Sequence, residues 1–118
     1  MAESTIIGGN HLSPGQVDRG FITLTDNPPV SGTIYQNTSR QNFIIYLPAY
    51  ATTSGTAGNV LVKIGPTSPP SVTLMNQYIG PSTGTGINDS IHFHVPIEWH
   101  WQVTLTNATL EAAVAIIY

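Results

Sequence analysis

The chain has 118 residues, 41% of them apolar, and only 8% are Asp, Glu, Lys or Arg, against roughly 25% in an ordinary soluble domain. Its three basic residues, Arg19, Arg40 and Lys63, and a formal net charge of -3 leave no cluster to neutralise a phosphate backbone, which argues against a nucleic-acid partner. The lack of cysteine excludes thiol catalysis, disulfides and cysteine metal sites, and no apolar run is long enough to predict membrane insertion.

Residues 1–19, MAESTIIGGNHLSPGQVDR, do not read as a signal peptide. Gly8-Gly9 and Pro14-Gly15 break the segment, whose few apolar residues cannot build a layer. It reads as an extended N-terminal arm, with Ile6 and Ile7 as candidate assembly contacts. From Gly20 onward, β-branched runs alternate with Gly, Pro, Ser and Asn. This predicts strands over 20–24, 32–36, 42–50, 59–64, 72–79, 90–95, 101–106 and 112–118. Pro48 inside the run 42–50 predicts an edge position or a bulge there. The alanines of LEAAVAIIY permit a short helix, but its terminal β-branched residues and the all-β context favour a strand. About 7–8 short strands over 20–118 predict an all-β domain, an antiparallel β-sandwich or jelly roll.

The densest local signal is IHFHVPIEWHWQV, residues 91–103. Odd positions from Ile91 to Leu105 are apolar or aromatic, and the even ones are polar apart from Pro96, the period-two pattern of a half-buried strand. Pro96 predicts a turn, and a loop at 96–98 would pair Phe93 with Trp101 and His94 with His100 across a hairpin. In that register Phe93 and Trp101 lie on the core side, while Trp99 either caps the core or stands exposed as a contact residue. His94 and His100 would share the outer face with His92, and Glu98 would sit at the turn. These four are the candidate metal ligands, since paired imidazoles can hold a divalent ion. Solvated or interfacial histidines are the plainer reading, and no metal or cofactor is expected.

Enzyme templates find little purchase. Glu3, Asp18, Asp26, Asp89, Glu98 and Glu111 are scattered, without a close pair to divide acid and base roles. The glycine-rich segments SGTAG and GPSTGTG lack the ending of a phosphate loop. Sequons begin at Asn37, Asn88 and Asn107, but such matches arise easily in so Asn- and Thr-rich a chain. A noncatalytic role is expected.

Two stretches carry a resemblance: NPPVSGTIYQNTSRQNFIIYLPAYATTSGTAGNVLVKIG and VPIEWHWQVTLTNATLEAAVAI. Together they resemble small β-domains of tailed-phage and thermophilic archaeal virus structural proteins, in order and spacing over about residues 27–118. The match rests on Pro29, Val30, Ser31, Gly32, Thr33, Tyr35, Gln36 and Asn37, then on Val95, Pro96, Trp99, Val103 and Thr104. It implies a fibre, spike or capsid-surface role in a virion and no catalytic residues. His92, His94 and His100 depart from the pattern, so the resemblance gives them no role.

The expected function is therefore assembly, surface decoration or host attachment in a virion, through self-association or contacts with other virion proteins. The alternative is a carbohydrate-binding module that presents exposed aromatics, Trp99 among them, to a host-surface glycan.

Overall fold

Period-two alternation fixes which side of each strand meets the core, and the computed structural model shows how those sides are combined. It describes residues 20–81 and 89–118, with the backbone of Ile6–Ile7 and Asn10–His11. The strands are β1 (Ile6–Ile7), β2 (Asn10–His11), β3 (Phe21–Ile22), β4 (Ile34–Gln36), β5 (Phe43–Ala51) and β6 (Gly58–Gly65). They continue with β7 (Val72–Ile79), β8 (Asp89–Val95), β9 (His100–Thr106), β10 (Ala108–Leu110) and β11 (Val114–Ile117). No helix occurs among the described residues. β1 and β2 pair with each other across Gly8-Gly9. The rest of the arm, and the side chains of Ile6 and Ile7 expected to make assembly contacts, lie outside the described residues.

The fold is all-β, with two antiparallel sheets in a sandwich-like arrangement. In sheet I, β5 lies between β8 on one edge and β10 and β11, end to end, on the other; β3 follows β11. Sheet II has the order β4-β9-β6-β7. Both contribute to one core, in which Ile45, Leu47 and Val95 of sheet I and Val60, Val62 and Val103 of sheet II are fully buried. The chain changes sheet at β3→β4, β4→β5, β5→β6, β7→β8, β8→β9 and β9→β10.

The expected 91–105 hairpin does not form. β8 pairs with β5, whereas β9 pairs with β6 and β4. The link 96–99 carries the chain from one sheet to the other, so the apolar faces of β8 and β9 look at each other through the core. Phe93 and Trp101 do meet, with ring centroids 5.9 Å apart, but from opposite sheets. Their burial was read correctly from alternation, although the register behind that reading is wrong. Tyr35, the strand partner of Trp101 on β4, stacks on it at 4.6 Å.

Pro48 also differs from expectation, because β5 is the central strand of sheet I. The Pro48 carbonyl accepts from Glu111 N–H, in the gap between β10 and β11. In a strand a residue's N and O point to the same side, so the missing proline donor faces this break in the ladder. Asn107 (φ 44°) turns the chain from β9 into β10. Its amide donates to the Thr56 and Ala57 carbonyls and accepts from Thr53 N–H. A side chain at Gly58 would collide with the Asn107 carbonyl, so a glycine there permits the close approach.

Candidate functional site

The crossing between sheets separates the histidines. His92 and His94 project from the outer face of sheet I, and His100 is half-buried on the outer face of sheet II, where it is paired with Gln36 and Gly65. The two polar faces look in opposite directions, so His94 and His100 do not form the expected pair. Glu98 lies on the link at φ 70°, where its carbonyl accepts from the Gln36 amide at 3.0 Å. The four residues considered as metal ligands therefore do not converge. Among the described residues, no three His, Cys, Asp or Glu side chains are grouped to hold an ion. Trp99 is partly buried against the core. Of its two readings, this placement fits the cap over the open end of the sandwich.

What the sequence did not single out is the outer face of sheet I. Ile44 of β5 is flanked by His94 of β8 and Ile116 of β11, and Phe21 of β3 lies beyond Ile116. In the next row, Tyr46 is flanked by His92 and Val114. Rings bind the rows together: Tyr46 lies against His92, and Tyr118 meets His94 edge-on at 4.6 Å. None of these eight residues carries a formal charge when histidine is neutral. Phe21 is 76% exposed, Tyr118 60% and Tyr46 39%. Period-two alternation predicts polar residues at such positions, and here it predicts the wrong chemistry. The signal was present in FIIYLPAYA, whose outward residues Ile44, Tyr46, Pro48 and Tyr50 include no charged, amide or small hydroxyl side chain.

A groove of about 250 Å³ opens between the segment 21–25 and β4. Ile22, Leu24, Tyr35, Phe43 and Trp101 line it, with Gln36, Thr38 and Ser39 as neutral polar neighbours. Tyr35, Phe43 and Trp101 are themselves buried, so the aromatic rings beneath it offer little surface. The Tyr35 hydroxyl donates to Asp26 at 2.6 Å and accepts from Val30 N–H. Burial, and next the hydrogen bond to Asp26, raise this phenol above its ordinary value of 10.0. The fold thus favours the neutral phenol. Its contribution is complete below the unfolded-state value and is lost as pH rises through that value towards the folded one. Melting temperature should fall more steeply in wild type than in Tyr35→Phe between about pH 9 and pH 11. At neutral pH that variant should be less stable by about 1–3 kcal/mol, because Asp26 and Val30 N–H lose a buried partner. Parallel alkaline slopes would refute the assignment.

Two sequons serve as structural ties. The Asn37 amide donates to three backbone carbonyls and the Asn107 amide to two, so neither nitrogen is presented for modification in the fold. Asn88 lies outside the described residues. No protein-family model matches this chain, and neither the curated proteins nor the solved structures contain a significant match to it.

Proposed function

We propose that this chain is a noncatalytic structural domain of a virus particle, acting in assembly or surface decoration by packing against copies of itself or other virion proteins. The observation that carries the reading is the outer face of sheet I, where eight neighbouring side chains are apolar, aromatic or imidazole. A chain with a net charge of -3 can place such a face against another copy without burying like charges there. The viral resemblance over 27–118 points the same way and supports a location in a virion. Repeated crossing of the chain between sheets supports a jelly-roll closure of the sandwich.

Tyr46 stands near the centre of the face and its replacement by glutamate is the direct test. Sedimentation velocity from micromolar to millimolar protein should show wild type associating and Tyr46→Glu associating markedly less, with melting temperature little changed. A wild-type chain that stays monomeric throughout would overturn self-assembly through this face.

A carbohydrate-binding role is the second reading, favoured by the exposure of Phe21, Tyr46 and Tyr118 on one sheet face. Glycan-array binding by a monomeric wild type, abolished in Tyr118→Ala with the fold intact, would place it first.

A further inference from the structure

The edge strands of the two sheets are not alike. β3 has two residues, and β4 and β10 three each, too short to template another strand. β8 is longer but includes Asp89 and carries His92 and His94 on its outward face. β7 is the exception. It runs for eight residues, VTLMNQYI, at the end of sheet II, with β6 on one side and no strand among the described residues on the other. It contains no charge and no proline, the devices that usually keep an edge from pairing. One device is present, an irregularity opposite Val62/Lys63, where Leu74 is left without a partner on β6. Beyond it, Met75–Ile79 pair in continuous register with Gly58–Val62. Six of the eight side chains are exposed, Val72 at 52% and Tyr78 at 61%, while Met75 is partly buried and Ile79 buried.

We infer that the free edge of β7 pairs with β7 of a second copy, antiparallel, so that sheet II continues across the contact. This inference names a partner surface for the assembly reading above and rests on it. An antiparallel pair of identical strands is self-complementary, as a two-fold contact must be. Its axis has to pass between a residue and its own counterpart, and Gln77 is the midpoint of the regular stretch. Met75 then faces Ile79 of the other copy, and Asn76 faces Tyr78. The strand is uncharged on a chain of net charge -3, so the two edges approach without like-charge repulsion. The contact uses the opposite sheet from the Tyr46 face, and the two can be disrupted separately.

Because the protein has no cysteine, a single Gln77→Cys substitution gives a clean reporter. Directly opposed residues of antiparallel strands have Cα atoms about 4.5–5.5 Å apart, within disulfide range. Thr104→Cys, exposed on β9 in the middle of the same sheet, is the control. Under mild oxidation in the full chain, Gln77→Cys should form a covalent dimer at least about tenfold faster than Thr104→Cys, given that geometry. Gln77→Lys should weaken association in sedimentation while leaving the melting temperature unchanged. Equal oxidation rates in a wild type that still self-associates would overturn the β7 contact alone and leave the Tyr46 face. Equal rates in a strictly monomeric wild type would overturn both the contact and the assembly reading. Association abolished by Tyr46→Glu but indifferent to Gln77→Lys would likewise assign the partner to sheet I and reject this edge.

Discussion

Trp101→Ala is expected to lower the stability of the domain by about 3–5 kcal/mol, the usual cost of removing a large aromatic from a packed core. Trp101 is only 3% exposed. Its ring meets Tyr35 of sheet II and Phe93 of sheet I, with centroids 4.6 Å and 5.9 Å away. Truncation therefore removes contacts within one sheet and between the two at once. Domains of this size are stable by only about 5–15 kcal/mol, so the loss would be a large part of the whole. Urea unfolding should show the midpoint shifted strongly downward with the slope retained. Trp101→Phe should recover part of the loss, because a smaller ring still fills some of the space. A loss below about 1.5 kcal/mol for the alanine variant would mean that the site collapses around the gap, and that Trp101 does not hold the sheets together.

Asn37→Ala should be nearly as damaging, although it removes far less volume. The side chain is 1% exposed and lies beside the link between β8 and β9. Its amide donates to the carbonyls of Gln41, Val95 and Pro96 at 2.8, 3.0 and 3.1 Å. Its oxygen accepts from Ser39 N–H and Oγ at 3.0 and 2.6 Å. The Asn37 backbone adds two further bonds, to the Trp99 carbonyl and from Glu98 N–H. Each buried polar group left without a partner costs about 1–3 kcal/mol, which puts the variant on the order of 3–5 kcal/mol below wild type. Asn37→Asp provides the sharper comparison. A carboxylate is nearly isosteric, but it cannot donate and would set negative charge against three carbonyl oxygens. It should be at least as destabilising as alanine near neutral pH, and should recover on acidification as the carboxyl gains a proton. An aspartate variant as stable as wild type would show that these carbonyls do not depend on the amide.

These two residues also show where sequence reading succeeds and where it stops. Trp101 was legible because alternation assigns a side chain to the core whichever strand lies next to it. The same alternation cannot say which strand that is. For β8 and β9 the nearness in sequence pointed to a hairpin, while burial of both apolar faces was achieved by placing them in opposing sheets. The split of the histidines follows directly from that error. Strand limits were close, with β7 placed at 72–79 in both sequence and structure. The short β10 was missed because Asn107 separates it from β9 by a single residue, and three residues carry no readable period. Asn37 stood out only as part of a viral-type segment and as a sequon. Its role depends on carbonyls contributed by residues 41, 95 and 96, which no local pattern brings together.

The position of β11 has a consequence for how the molecule is made. Val114–Ile117 fill the space between β5 and β3, so strands read early in the chain acquire their shared neighbour only when residues far downstream arrive. Until then, Phe43–Tyr46 on that side of β5 and the whole of β3 have no ladder to join. Among sequential strands within the two sheets, β6 and β7 form the one side-by-side hairpin, and little else can zip up locally. Such non-local topologies fold slowly, roughly in milliseconds to seconds. The β6–β7 pair is thus the segment able to form first, and insertion of β11 is a late, committing event. Copies that meet before that event would expose an incomplete sheet I, so productive association belongs to chains in which Val114–Ile117 are already in place.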